Sequence, residues 1–262
     1  MKKIKISALV LAVLTVIAVC SVGVSAADDE GVVYVTIANG GLMLAHEAVT
    51  VNDADGDGVL TIDEALASAH DAAYEGGAGA GYASEKTDYG LSMTKLWGVE
   101  NGGSYGYYVN NTSAMSLEDT VSAGDHIVAF AYTDMTAWSD TYSFFDVAAA
   151  DTETVSLTLS AAGYDENWTP VTTPVAGAVI TVDGELTEVV TDENGEAEVT
   201  VGEGTHIISA TSDSVTLVPP VCVATVAAVE GEAPQTGFET SALVFIALGA
   251  LCVIVRSRRH AE

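Results

Sequence analysis

Apolar and polar side chains alternate from Val33 to Ile37 in "GVVYVTIANGG", and the run ends in Asn39-Gly40-Gly41. Alternation sends successive side chains to opposite faces of a strand, and an Asn-Gly-Gly cluster supplies the left-handed backbone of a hairpin turn. The pattern predicts a strand, a turn and a second strand over roughly Leu44 to Val51. The period then changes. Ile62, Ala65, Leu66, Ala69 and Ala73 recur at three- and four-residue spacing, which predicts a helix with one narrow apolar face. Thr61 and Glu64, three apart at its start, form a capping-box signature. The connector "EGGAGAGYAS" follows this helix instead of opening one and has neither GxGxxG nor GxxxxGK spacing, so it does not read as a phosphate cradle.

From Tyr89 to Val147 aromatics crowd between turn signals at Asn101-Gly102-Gly103 and Ala123-Gly124-Asp125, which predicts mostly sheet. Trp97, Tyr107, Phe130, Tyr132, Tyr142 and Phe144 have two readings. They are the core of a small α+β domain, since large aromatics supply much of the burial at this size. Alternatively, some of them, with Trp97, Tyr107, Tyr132 and Tyr142 foremost, line a ligand-binding face. Beyond Thr152, "TVSLTLS", "GAVITVDG", "TEVVTDENGEAEVTV" and "THIISATSD" are short alternating runs between turns, the pattern of a β-sandwich. The predicted fold class is an α+β N-terminal domain with one main helix over residues 27–150, followed by an all-β sandwich over 151–228.

The two ends carry a different pattern. Residues 1–26 hold Lys2, Lys3 and Lys5, an apolar run from Ile6 to Cys20, and Val24-Ser25-Ala26 as a small-residue cleavage site, the build of a secretory signal peptide. Residues 229–262 contain Ala233-Pro234-Gln235-Thr236-Gly237, an uncharged run from Ala242 to Val255, and then Arg256, Arg258 and Arg259. An apolar segment followed by basic residues reads as a membrane segment with its tail on the cytoplasmic side. Both ends place the middle of the chain outside the cell.

Charge narrows the partners. All but Glu239 and Glu262 of the 37 acidic residues lie between Ala27 and Thr236, where the only bases are Lys86 and Lys95. Such a surface repels nucleic acid and anionic lipid and attracts divalent cations and basic partners. Cys20 and Cys252 lie in the terminal apolar runs, so Cys222 has no disulfide partner in the middle of the chain.

One stretch carries specific chemistry. "DADGDGVLTIDE" resembles the twelve-residue EF-hand calcium loop, which takes oxygen ligands from positions 1, 3, 5, 7, 9 and 12 with glycine at 6. Over residues 53–64 those positions fall on Asp53, Asp55, Asp57, Val59 through its carbonyl, Thr61 through a water, and Glu64 as a bidentate ligand, with Gly58 at the turn. Asx-turns account for the aspartates and the capping box for Thr61 and Glu64, but neither accounts for all of them in one register. Calcium is the expected ion, with an affinity of about 10⁻⁴ to 10⁻³ M for an extracellular site. The segment entering the loop alternates like a strand, whereas an EF-hand enters from a helix, and the chain has one such loop. A brace between strand and helix is therefore expected, not a regulatory switch.

Three resemblances add to this reading. The C-terminal motif resembles the sorting signal of Gram-positive surface proteins, Leu-Pro-x-Thr-Gly, which a sortase-type transpeptidase cuts between Thr and Gly to join the chain to the wall. Pro234, Thr236 and Gly237 match, and Ala233 replaces the usual leucine; a plain membrane anchor is the other reading of this end. The order of hairpin, "TIDEAL" helix, "LWG", Tyr107-Tyr108-Val109-Asn110 and Gly124-Asp125 resembles the β-grasp-type domain at the C-terminus of transcobalamin, over roughly Val32 to Phe145. In that setting the domain caps a corrinoid held largely by a separate helical domain, which this chain lacks. The segment around Thr191, Asp192, Asn194 and Gly195 is similar to prealbumin-like and carboxypeptidase-regulatory-like stalk modules. Some of these carry a Lys–Asn isopeptide bond, but the segment has no lysine.

Catalytic signatures are missing from the pattern: His46, His70, His126 and His206 are scattered, and no HExxH, GxSxG or CxxC occurs. The sequence thus predicts a non-enzymatic, calcium-binding surface protein, anchored to cell wall or membrane, that displays a domain for an unknown extracellular ligand or partner on a sandwich spacer. Two other readings stay open: a capture protein for a small ring ligand such as a corrinoid, and a purely structural wall protein.

Overall fold

The computed structural model describes residues 31–228. The signal peptide, the sorting motif at Pro234, Thr236 and Gly237 and the membrane segment at 242–255 lie outside the described residues. Among the described residues, no helix is long and apolar enough to cross a membrane.

The leading elements are β1 (Val32–Asn39), β2 (Leu42–Thr50), α1 (Ile62–Ala73), α2 (Gly77–Gly81), β3 (Ala83–Thr87), β4 (Gly90–Lys95), β5 (Tyr105–Val109), β6 (Thr112–Ser113) and β7 (His126–Ala131). They form an α+β region with one main helix. Its sheet has the order β2-β1-β7-β5-β6, with β1 and β7 parallel at the centre and the flanking pairs antiparallel. Helix α1 covers one face. Ile62, Ala65, Leu66 and Ala69 pack with Val33, Val35, Ile37, Ile127 and Ala129 in one core, as the helical spacing predicts. Ala73, the last residue of that stripe, is exposed, because the helix ends there before the stripe returns to the sheet.

The glycine-rich connector after α1 contains α2. Asp71 Oδ1 accepts the Ala78 N–H at 2.7 Å and Tyr74 O accepts the Gly77 N–H at 2.9 Å, so local acceptors start a turn that glycine propensity disfavours.

The remaining strands are β8 (Thr141–Phe145), β9 (Ala149–Ala150), β10 (Thr154–Tyr164), β11 (Pro170–Pro174), β12 (Val179–Val182), β13 (Glu185–Val190), β14 (Glu196–Thr200), β15 (Gly204–Thr211), β16 (Leu217–Val218) and β17 (Cys222–Val226). They make two sheets, β11-β10-β8-β16 with β14 also on β10, and β13-β12-β15-β17-β9. Alternating residues of both, including Leu157, Leu159, Ile180, Val199 and Ile208, share a separate core. The predicted turn at Thr191 to Gly195 is built by side chains. Thr191 Oγ1 accepts the Ala178 N–H and donates to Val175 O, and Asp192 Oδ1 accepts the N–H groups of Asn194 and Glu196.

Sheet membership changes earlier than residue 150. Thr141–Phe145 and Ala149–Ala150 read as the end of an aromatic-rich first domain, yet β8 pairs with β10 and β16, and β9 pairs with β17. The physical reason is alternation within β8: Phe145 enters the sandwich core, while Tyr142 turns to the other side. There Tyr142 and Val218 meet Ala38, Val128 and Phe130 from the back face of the first sheet. The described residues up to Ala227 consequently belong to one compact unit, not two detached domains.

Phe130 anchors this shared layer at 1% exposure. Its ring lies directly over Gly106, leaving no room for a Cβ there. Gly106→Ala is expected to lower stability by about 1–3 kcal/mol through overpacking, read as a lower midpoint in thermal or denaturant unfolding. Gly163→Ala, where a Cβ meets nothing within 4 Å, serves as the near-neutral comparison.

Candidate metal centre

Residues 53–61 leave β2 and enter α1 as a tight loop wound on its own carboxylates. Asp53 accepts the N–H groups of Gly56 at 2.7 Å and Gly58 at 2.9 Å, one on each oxygen. Asp55 Oδ1 accepts the Asp57 N–H, and Asp57 Oδ1 accepts the Val59 N–H. Each aspartate therefore folds the backbone two to five residues ahead of it. Gly58 has φ +81° with open space around it, so conformation and not crowding calls for glycine at the sixth position.

These bonds aim three carboxylates at one point. Asp53, Asp55 and Asp57 each offer an oxygen within 4.8 Å of the others, with Asp53 half-buried and the other two exposed, an arrangement able to hold a metal ion. Among the described residues, neither lysine neutralises them. Lys86 pairs with Glu118 at 2.7 Å and Lys95 with Glu100 at 3.2 Å.

The other predicted ligands behave differently. Val59 stands on the loop with its side chain 42% exposed. Thr61 is the N-cap of α1, and its Oγ1 accepts the Glu64 N–H. Glu64 is buried at 8% exposure, and its carboxylate joins both ends of the loop: Oε1 accepts the Ala54 N–H at 2.8 Å, while Oε2 accepts from Thr61 N–H and Oγ1. Oε1 thus uses one of its acceptor positions on Ala54, and a carboxylate oxygen has a second.

The loop also has a partner strand. Val121 N–H bonds to Leu60 O at 2.8 Å, Thr61 bridges Thr120, and the free N–H groups of the first helical turn, Ile62 and Asp63, bond to Asp119 O and Leu117 O. The segment Leu117–Val121 thereby closes one side of the loop. Sequence reading missed it, since nothing local in Leu117–Val121 announces a pairing with residues more than fifty positions earlier.

The aromatic ligand face expected from Trp97, Tyr107, Tyr132 and Tyr142 is not assembled. Trp97 and Tyr107 pack on the helix-side core, with Trp97 against His70 and Tyr74. Tyr132 and Tyr142 lie on the opposite face of the sheet, where Tyr142 stacks on Tyr108 at 3.6 Å. Tyr107 and Tyr108 are consecutive in β5, so the pleat sends them to opposite faces.

Two of the histidines have ring nitrogens engaged by neighbouring groups. His70 is fully buried; Leu66 O lies 2.6 Å from its Nδ1 and the Trp97 N–H donates to its Nε2, so Nδ1 carries the proton. Burial lowers its pKa. His126, bonded to Thr36 at 2.8 Å, is pushed down to about 4 by burial and by His46, whose ring lies 4.6 Å away. Burial also lowers His46. A cavity of about 210 Å³ opens beside His126, lined also by Thr36, Asn110, Tyr142, Asp146 and Pro219.

No family model matches this chain, and no curated protein matches it. A solved structure of fibronectin(III)-like modules of CbhA from Clostridium thermocellum is similar over 52% of this chain and 84% of that chain, with 15% identity and a TM-score of 0.24. That is a distant likeness to a β-rich module.

The buried imidazoles give a pH prediction. A histidine whose folded pKa is depressed binds its proton more readily when unfolded, so stability falls as pH drops from about 6.5 toward 4. His206 works the other way: hydrogen-bonded to Asp183, it is raised, and its contribution is lost as pH climbs through its folded value. Replacing His126 by Gln should therefore shrink the loss of unfolding midpoint between pH 7 and pH 4.5 relative to the parent. Equal losses in both proteins would show that His126 does not bind protons differently in the two states.

Proposed function

We propose that this chain is a non-enzymatic, calcium-binding extracellular protein, held at the surface by its C-terminal segment, which displays its α+β region for a partner. The observation that carries the reading is the loop itself. Three carboxylates converge with neither described lysine beside them, and the buried Glu64 carboxylate stands at the junction of loop and helix. Hard oxygen donors of this charge suit calcium, which accepts variable coordination more readily than magnesium does. Asp53, Asp55 and Asp57 would supply side-chain oxygens, Val59 its carbonyl and Glu64 its remaining acceptor positions. Bound there, the ion supplies positive charge that offsets the carboxylates' mutual repulsion.

The residues of the chain do the rest. The hairpin β1–β2, the loop and α1 form a continuous path into the first core, so ordering the loop fixes the entry of Ile62 and Leu66 into that core. A brace, not a switch, follows from Leu117–Val121 already closing the loop's open side. The sheet order β2-β1-β7-β5-β6 with a parallel centre and one covering helix supports the β-grasp-type reading. The second half is read as a prealbumin-like spacer, and the sorting motif as the substrate of a sortase-type transpeptidase. The non-enzymatic reading is supported by the engaged state of His70 and His126.

Thermal unfolding of the full chain in 10 mM calcium and in chelator tests the assignment. An affinity of about 10⁻⁴ to 10⁻³ M gives a stabilisation of about 1.4 to 2.7 kcal/mol, a rise in midpoint of roughly 3–10 °C. Glu64→Gln should lower the midpoint modestly in chelator, by the loss of about 1 kcal/mol of hydrogen bonding, and should remove most of the response to calcium. An equal calcium response in parent and variant would remove Glu64 from the site; no response in either would leave the loop a solvated turn.

A further inference from the structure

The chain has three tryptophans, and all three adopt left-handed backbone: Trp97 at φ +48°, Trp138 at φ +50° and Trp168 at φ +61°. Bulky residues rarely stand there, and such strain gathers at functional positions. Trp97 is explained by its packing on His70. Trp138 and Trp168 are not, since they remain 63% and 82% exposed.

Both exposed tryptophans are presented by the same device. In the loop after β7, Asp134 Oδ1 accepts the N–H groups of Thr136 and Ala137, and Asp134 O accepts the Trp138 N–H at 2.9 Å. In the β10–β11 hairpin, Asp165 Oδ1 accepts the N–H groups of Asn167 and Thr169, and Asp165 O accepts the Trp168 N–H at 3.0 Å. Those donors hold both carboxyls below the usual carboxylate range, so they stay charged. Both loops border one aromatic layer, since Tyr132 after β7 and Ala162 in β10 pack on the core of Phe130 and Tyr142. Trp138 Nε1 reaches Ser104 Oγ at 3.3 Å, and Ser104 O accepts the Tyr132 N–H. Tyr164 follows Ala162 by two residues in β10 and so stands on the same face of that strand, with its ring 6.2 Å from that of Trp168.

We propose that this surface of Trp138, Tyr132, Tyr164 and Trp168, bordered by Asp134 and Asp165, docks an arginine-bearing segment of a protein partner. Charge complementarity selects the partner. Between Ala27 and Thr236 the only bases are Lys86 and Lys95, and both are paired elsewhere. A guanidinium stacks flat on indole or phenol and forms a forked pair with a carboxylate, so it uses both features of the surface at once. Trp138 and Trp168 stand on exposed loops, where a small molecule would bury little of itself; an extended chain contacts several of the rings together. Loops already fixed by their aspartates lose little entropy on binding. The proposal takes the display role from the function proposed above and is independent of the calcium loop.

Tryptophan fluorescence of the full chain, titrated with a hexa-arginine peptide, tests it. Hexa-lysine and hexa-citrulline peptides and a neutral oligosaccharide are the comparison probes, each run with calcium and with chelator. The expected result is a saturable change with hexa-arginine in both conditions, several-fold weaker binding of hexa-lysine, and none of the neutral probes. Trp168→Ala and Trp138→Ala should each weaken hexa-arginine binding by about tenfold, measured by calorimetry, and Trp168→Phe should restore most of it. Equal affinity for hexa-arginine and hexa-lysine with no effect of either tryptophan would reduce the interaction to general attraction to an acidic surface and overturn the proposal. Binding of the oligosaccharide or of hexa-citrulline in place of hexa-arginine would overturn it in favour of a neutral ligand. Binding lost only in chelator would overturn its independence from the loop, while a failed calcium response with intact peptide binding would count against the calcium assignment alone.

Discussion

Glu64 is a carboxylate buried to 8% exposure that holds three groups at once, the Ala54 N–H at the start of the loop and the N–H and hydroxyl of Thr61 at its end. Burying such a group without partners costs several kcal/mol, so its position is over-determined by those donors. Two consequences propagate outward. The Thr61–Glu64 capping box starts α1 in a fixed direction, and Leu117–Val121 locks onto the same turn through Leu60, Ile62 and Asp63. The helix can then lay Ile62, Ala65, Leu66 and Ala69 on the sheet. On the loop side of Glu64 stand three more carboxylates, and the convergence of Asp53, Asp55 and Asp57 is the counterpart of that constraint: a geometry whose repulsion a cation relieves.

What could be read in the sequence follows the range of the interactions. Asp53, Gly58, Thr61 and Glu64 act on neighbours within about one helical turn or one loop, so their register in the chain already specifies their geometry. The stripe on α1 and the turn at Thr191 to Gly195 belong to the same class. Pairings across long separations were not legible. The parallel contact of β1 with β7, the return of Leu117–Val121 to the loop and the assignment of β8 to the sandwich depend on which strand a given edge meets, and a strand's own pattern does not encode that. The aromatic residues show the limit most clearly. Their burial was legible, but Tyr107 and Tyr108 are neighbours in sequence and belong to different faces of one sheet.

That sheet is unusual in having both faces covered. Val33, Val35 and Ile37 face α1, while Thr36 and Ala38 on the other side are also buried, at 0% and 1% exposure. The back face is closed by Tyr142 and Val218 from the sandwich, with Tyr108 stacked between. Junctions made of aromatic layers transmit stiffness, because interiors at this packing density do not deform continuously. The helix capped by Thr61 and Glu64 and the aromatic layer at Phe130 therefore reach the same sheet from opposite sides.

The central claim is that an ion in the loop orders the path from β2 into α1. Amide hydrogen exchange of the full chain with calcium and with chelator tests it most directly. The account predicts added protection at residues 53–69 and at Leu117–Val121, which closes the loop, with little change in β12 to β15 of the sandwich. Protection that is the same in both conditions, or that changes only in the sandwich, would contradict it.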